Sequence, residues 1–290
     1  MELAIDFGGT EVKIGLIEAG EFIRTFAIPA ETGSRDVLER AAAAVADVAG
    51  VSAVGIAVPG VLAPGGRAML AANDKYEPLV GVDLIDWAGA TFGLPAVVEN
   101  DARAALLGEL APGGCADGVR DAVLLTLGTG IGTAAVMGGV PIRGAHGHAG
   151  ILGGHVTVDI DGPPCPCGNI GCAEQLASSR TLREAGIGPE QWASAAAGTA
   201  TLAVRRAIEA HLRVWGAVAV TMCHMYDPDV VVLTGGILRA GDIVREGIER
   251  WLDAHLWSTA HRPEVRVPSA PEHSVLRGLA VLAADVEGKS

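Results

Sequence analysis

Four side chains in the stretch 155–174, HVTVDIDGPPCPCGNIGCAE, have the types and spacing of a metal site: His155, Cys165, Cys167 and Cys172. Thiolate sulfur and imidazole nitrogen suit a Zn²⁺ tetrahedron, and the Pro-Pro, Cys-Gly-Asn and Ile-Gly-Cys turns let the backbone fold around one ion. Three unrelated buried thiols, or a disulfide, are the alternatives. A second chemistry is offered by Asp6-Phe7-Gly8-Gly9-Thr10 and Gly128-Thr129-Gly130-Ile131-Gly132. Glycine lets backbone approach a phosphate closely, and successive N–H groups with a Thr hydroxyl bind its oxygens without any net positive charge. A third pair, Gly235-Gly236, follows the apolar run VVVLT. Together they suggest a nucleotide held between two halves, although each alone reads equally well as a hairpin connection without a ligand. A Walker A loop and a G-x-G-x-x-G turn are both absent.

Two carboxylates stand near these turns. Asp6 ends the first apolar run, where it either holds Mg²⁺ or its waters near phosphates, with Lys13 supporting the turn, or simply caps the turn. Asp101 follows PAVVEN at a strand-to-helix junction. There it serves either as a helix N-cap or as the base that takes a proton from a substrate hydroxyl attacking a γ-phosphate.

The elements that position these groups alternate between strand and helix, which indicates a mixed sheet covered by helices. Strands are expected at 2–7, at VKIGLI to Ile17, at 21–28, at VSAVGIAV and at PAVVEN, with helices from Ser34 to Ala49 and near 84–92. Val37, Leu38, Ala41, Val45 and Val48 carry the apolar face of the helix that Ser34 caps. A helix over DARAALLGEL closes the first half, and the main boundary falls at Pro112–Gly118. The second half restarts with DAVLLTL, the GTGIG turn and TAAVMGG, an internal echo of residues 2–17. Helices near 173–185, 201–226 and 242–255, strands at 230–236 and EVRV, and a last helix from Ser274 complete it. His146 and His148 read as solvated loop histidines.

At 290 residues the length fits about two domains. Half the chain is apolar but only 4% aromatic, so the cores are built from Ala, Val, Leu and Ile. With 21 basic and 34 acidic residues the net charge is −13, which argues against general affinity for nucleic acid or an anionic membrane. Five cysteines, three of them clustered, and a start without a basic-then-apolar leader indicate a reducing, cytoplasmic setting. Cys115 and Cys223 read as inert core thiols.

DFGGTEVK, VENDAR, LGTGIG, a Gly-His pair followed after nine residues by CPCGNIGCAE, and VVLTGG occur in one order. In that combination the chain resembles the ROK family of bacterial sugar kinases, within the actin-like ATPase superfamily. The resemblance implies a two-domain actin-like ATPase (ribonuclease H-like) α/β fold with the active site in the interdomain cleft. Residues 1–115, joined by a C-terminal helix at 274–290, would form one domain, and 116–273 a larger one with the zinc-binding loop. It implies an ATP- and Mg²⁺-dependent kinase acting on the 6-hydroxyl of a hexose or hexose derivative such as glucose, mannose or an N-acetylhexosamine.

On this resemblance Asp101 is the base, while Asn100, Glu174 and His155 contact sugar hydroxyls and the loop at Pro59-Gly60 lies on the sugar side. His155 would give one ring nitrogen to a structural zinc and the other to the sugar. A homodimer or homotetramer is also implied. The family's kinases carry a Glu in a Glu-x-Gly-His pattern that contacts hydroxyls near the anomeric end, whereas here the stretch reads Leu152-Gly153-Gly154-His155. Loss of a charged hydrogen bond worth about 1.5–3 kcal/mol would weaken the usual hexose by roughly 10- to 150-fold. A catalytically weak sugar sensor is the rival reading, without a DNA-binding module because the chain begins at the first phosphate-binding strand. An actin-like structural ATPase leaves the cysteines unexplained.

Overall fold

The computed structural model describes residues 1–45, 49–72, 75–258 and 260–287. They fall into two compact units, one comprising Met1–Gly118, Arg143–Ala149 and the segment from Glu272, the other Val119–Ile142 and Gly150–Pro271.

The first unit opens with β1 (Glu2–Phe7), β2 (Glu11–Glu18) and β3 (Glu21–Pro29), paired antiparallel. Then come α1 (Asp36–Ala44), β4 (Ala53–Val58), the hairpin β5 (Val61–Leu62) and β6 (Met69–Ala71), α2 (Leu84–Phe92), β7 (Ala96–Asn100) and α3 (Asp101–Leu110). β4 lies parallel to β1 and β7 parallel to β4, giving the strand order β3-β2-β1-β4-β7 among the described residues. The helix expected from Ser34 is shorter than its periodicity implied. It begins at Asp36, whose N–H donates to Ser34 Oγ at 3.1 Å, and ends at Ala44; residues 46–48, including Val48, lie outside the described residues.

In the second unit β8 (Ala122–Leu127), β9 (Ile131–Met137) and β10 (Val140–Pro141) repeat the antiparallel opening. They are followed by α4 (Ala173–Leu176), α5 (Ser179–Glu184), α6 (Pro189–Ala196), α7 (Leu202–Tyr226), β11 (Val230–Thr234), α8 (Asp242–His255) and β12 (Glu264–Arg266). β11 pairs parallel with both β8 and β12, so the order β10-β9-β8-β11-β12 copies that of the first unit. The echo of the glycine turns is therefore an echo of whole sheets.

One helix expected at 173–185 is two. Ala177 leaves helical geometry at φ −143°, and the Ser178 N–H donates to Thr181 Oγ1 at 2.9 Å to start α5. The sequence reading passed over α6, although Pro189 stands in its first turn and Gln191 accepts from the Gly188 N–H at 3.0 Å, both start signals. Val123, Leu125, Val231 and Leu233 pack against Leu212, Trp215 and Val218 of α7 and Val244 and Ile248 of α8. Among the described residues no helix is long and apolar enough to cross a membrane.

The last helix, α9 (Ser274–Glu287), belongs to the first unit. Side chains of a strand alternate between faces, and β1 uses both. Leu3, Ile5 and Phe7 meet Val37, Leu38 and Ala41 of α1 and Leu84 and Ala88 of α2, whereas Ala4 is clustered with Ala104 of α3 and Leu276, Leu279 and Ala280 of α9. α3 and α9 cross closely because both are glycine at the crossing: a Cβ on Gly278 would stand 1.9 Å from Ala104 O, and one on Gly108 2.0 Å from Ser274 O. Gly278→Ala is therefore expected to destabilise by about 1–3 kcal/mol or more, despite alanine's better helix propensity. A urea midpoint unchanged by that substitution would contradict the packing described.

Candidate active site

In the first unit, Asn100 and Asp101 stand where β7 becomes α3. The helix cap is Asn100, not Asp101: Asn100 Oδ1 accepts from the Arg103 N–H at 3.1 Å. This separates the two roles left open at that junction, because Asp101 is not needed as the cap. The Asn100 amide also donates to Gly60 O and to Asp101 Oδ1, each at 3.0 Å, so the Pro59-Gly60 loop, Asn100 and Asp101 are brought together. Asp101 Oδ1 accepts a further bond from the Ala102 N–H at 2.8 Å. Burial holds the Asp101 carboxyl above the usual carboxylate range, against the lowering effects of the Ala102 N–H and of Lys75. A carboxylate made more basic in this way accepts a proton more readily at neutral pH.

The first glycine turn joins β1 to β2. Gly8 is required there because a Cβ would stand 2.8 Å from Glu11 O. Gly9 and Thr10 are exposed, and Thr10 O accepts from the Ala30 N–H at 3.1 Å. Asp6 is 5% exposed, and burial together with the neighbouring Asp101 pushes its carboxyl up to about 7, with Lys13 acting in the opposite direction. Lys13 faces Asp6 across the β1–β2 register. Asp6 Oδ1 has no hydrogen-bond partner among the described residues. A buried carboxylate oxygen of that kind is costly unless it is protonated or meets a cation, so Asp6 fits a Mg²⁺ ion or its waters.

Beneath Asn100 lies a network that the sequence reading did not find. Glu99 is 1% exposed; its Oε1 accepts from the Asn100 N–H and from Arg103 Nη1, each at 2.8 Å, and its Oε2 pairs with Arg143. Arg103 Nη2 donates to the carbonyls of Gly147 and Ala149 at 3.1 and 3.3 Å. A buried carboxylate shared by two guanidinium groups thus holds the segment Arg143–Ala149 against the base of the site. His146 and His148 lie on that segment, exposed, with ring centroids 6.4 Å apart.

In the second unit the other glycine turn joins β8 to β9. Gly128 O accepts from both the N–H and the hydroxyl of Ser179, at 2.9 and 2.6 Å. Thr129 is exposed at the tip, and the Gly128 N–H donates to Gly130 O. Glu174 lies against this turn: its Oε2 accepts from the Ile131 N–H at 2.8 Å, and a Cβ on Gly130 would stand 2.2 Å from that oxygen. One N–H between Gly130 and Gly132 is thereby already engaged by a carboxylate. Gly235, at φ +100°, approaches the same turn, since a Cβ there would stand 2.3 Å from Leu127 O, and Gly236 begins the next helical turn.

The zinc-type residues also converge. The three cysteines are unbridged, which removes the disulfide alternative. One ligand atom from each of His155, Cys165, Cys167 and Cys172 lies within 4.8 Å of the others. Cys167 and Cys172 Sγ are 3.7 Å apart and His155 Nδ1 is 3.8 Å from Cys165 Sγ. A tetrahedron with Zn–S bonds of about 2.3 Å has S–S edges of about 3.8 Å, so the donor set fits zinc. Burial and the neighbouring sulfurs push the Cys172 thiol up to about 12, a penalty on the thiolate that a bound cation would relieve. Leu152, 39% exposed, begins the short turn Gly153–His155 that carries the histidine; the Gly153 N–H donates to Thr133 Oγ1 at 2.8 Å.

Residues 2–286 match the family model described as ROK family. The chain belongs to the ROK family. It is 31% identical over 296 residues to a glucokinase of Streptomyces coelicolor, covering 89% of this chain and 90% of that one. An N-acetylmannosamine kinase of Salmonella typhimurium is 36% identical over 190 residues, 63% of each. Among solved structures, the ROK family glucokinase from Streptomyces griseus in complex with glucose and AMPPNP superposes with a TM-score of 0.82 at 29% identity, covering 98% of this chain and 99% of that one. The duplicated α/β architecture of this ROK protein is the actin-like ATPase fold.

Proposed function

We propose that this ROK protein is an ATP- and Mg²⁺-dependent kinase that phosphorylates a hexose or hexose derivative, at its 6-hydroxyl. The observation that carries the reading is the Asp101 carboxylate, half-buried, raised in pKa and aimed by Asn100 beside Gly60, in the same unit as a glycine turn flanked by Asp6. Likeness to a glucokinase over 89% of the chain supports it.

In this reading Asn100 and the Pro59-Gly60 loop orient the sugar, with His155 and Glu174 supplying further hydroxyl contacts. Asp101 takes the hydroxyl proton as the sugar oxygen bonds to the γ-phosphorus; the bond from that phosphorus to the β-phosphate oxygen breaks and ADP leaves. The backbone at Gly8–Thr10, Gly128–Gly132 and Gly235-Gly236 receives the nucleotide's phosphates, with Lys13 and Thr129 beside them. Mg²⁺, when bound near Asp6, neutralises phosphate charge. Zn²⁺ at His155, Cys165, Cys167 and Cys172 is structural: it fixes the ring and tautomer of His155. The protein works in the cytoplasm as a homodimer or homotetramer, with one domain of residues 1–115 and 274–290 and a larger one of residues 116–273.

A coupled ADP-release assay over glucose, mannose, allose, fructose, N-acetylglucosamine and N-acetylmannosamine tests the reading. At least one sugar is expected to raise turnover well above the sugar-free rate. With Leu152 in place of a carboxylate, glucose is expected to bind about 10- to 150-fold more weakly than a site with that bond would allow. If no sugar stimulates ADP release, the kinase reading fails and a sugar sensor takes its place.

A further inference from the structure

Phosphoryl transfer brings negative charge toward a place where this chain already holds two carboxylates, the buried Asp6 and the half-buried Asp101, and the whole chain carries −13. Cations must meet it there, since transition-state charge in this reaction is stabilised chiefly by electrostatics. Lys13 faces Asp6 across the sheet register. A second lysine, which no motif singled out, lies against the first glycine turn. Nζ and Cε of Lys75 are each 3.7 Å from the position that a Cβ on Gly9 would take, so the ammonium lies over the exposed backbone of the turn. Its charge is also felt at Asp101. Lys75 makes no ion pair among the described residues.

The backbone that carries Lys75 is held under strain. Tyr76 adopts the left-handed conformation at φ 54°, which costs a bulky residue on the order of 1–3 kcal/mol and persists only where the surroundings impose it. Here they do. The Tyr76 side chain is fully buried, its ring packs edge-on against Phe7 at 5.8 Å, and its hydroxyl donates to Gly8 O at 2.7 Å. The left-handed residue bends the loop so that its aromatic side chain is pinned beneath the turn while the preceding side chain passes over it. Strain of this kind clusters at functional sites.

We propose that Lys75 is a catalytic residue whose ammonium binds the phosphoryl group in transfer, between the Gly8–Thr10 turn and the base Asp101. The assignment rests on the kinase reading for its reaction and on the Tyr76 anchor for its geometry. The covalent changes are those already given: oxygen–phosphorus bond formation at the sugar, cleavage at the β-phosphate oxygen, and proton transfer to Asp101. Lys75 supplies charge and no proton.

Lys75→Met is expected to lower kcat by about 10²–10³-fold while the sugar KM moves less than about threefold, and Lys75→Arg to restore kcat to within about tenfold of the parent. A purely structural lysine would not show that split or that rescue. The second measurement needs no turnover: titration with MgADP and aluminium fluoride, which together mimic a phosphoryl group in flight, followed by calorimetry. The parent protein and Lys75→Arg are expected to bind this mimic at least about tenfold more tightly than Lys75→Met. Equal affinity of parent and Lys75→Met for the mimic overturns the assignment, whether or not any sugar is turned over. Failure of the sugar panel with discrimination of the mimic intact overturns the sugar reading alone.

Discussion

Replacing Asp101 with Asn is expected to lower kcat by about 10²–10⁴-fold, the range that a positioned general base contributes. The substitution is close to isosteric and keeps an oxygen to accept from the Asn100 amide and the Ala102 N–H, so the fold and the sugar KM should change little. Far-UV dichroism and a sugar-binding titration alongside the kinetics would separate a lost base from a lost site. A second signature follows from the direction of the carboxyl's shift. Because burial raises the Asp101 pKa, the ionised form that accepts a proton is lost as pH falls, earlier than for an exposed carboxylate. A plot of kcat/KM against pH should therefore show an acid limb above the ordinary Asp value of about 3.9. Full activity persisting down to that pH would remove Asp101 from the role.

The next largest effect is expected from the metal. Purified protein should contain one zinc per chain, and stripping it should lower the thermal midpoint by roughly 6–20 °C, which is what losing about 3–5 kcal/mol does to a chain of this size. Most hydrogen bonds of residues 155–172 run within the loop itself, among them Asn169 Nδ2 to His155 O at 3.1 Å and the Val158 N–H to Gly171 O at 2.9 Å. Hydrogen exchange in residues 156–172 should rise sharply on chelation, while α7 and α8 keep their protection. Cys172→Ser should reproduce the loss. A zinc-free protein with the same midpoint and the same exchange would refute the site.

The parts of the molecule legible in its sequence were those in which the chemistry is local. β1, β7, α3 and α7 fell where apolar runs and end signals placed them, because a strand buried on both faces is apolar along its length and a helix declares its start in the residue that caps it. The cysteine cluster was equally plain, since its ligands are close in sequence. Lys75 and Tyr76 were not: a lysine in a loop carries no periodic signal, and the left-handed turn that aims it depends on Phe7 and Gly8, some 68 residues away. Glu99 and Arg103 read as ordinary members of a strand and a helix. Their partner Arg143 lies 44 residues from Glu99, and only the tertiary fold makes them one network. The break between α4 and α5 was hidden for a different reason: Ser178 and Thr181 suit a helix interior poorly but not impossibly, and the cap they form is decided by packing at Ala177, whose carbonyl accepts from Trp215 Nε1 at 2.7 Å.

The assignment of Arg143–Ala149 and α9 to the first unit has a consequence for the order of events during synthesis. Residues 1–118 emerge from the ribosome before residues 119–290, yet they lack Leu276, Leu279 and Ala280, which cover one face of β1, and Arg277, which pairs with Glu109 across 168 positions at 3.3 Å. The second unit, by contrast, has all of its chain once Pro271 is made. The half that is translated first is thus completed last, and until then it exposes an apolar sheet face for the time needed to add more than half of the protein. Closing so long a loop is slow, and a nascent chain in that condition is a natural client for chaperones.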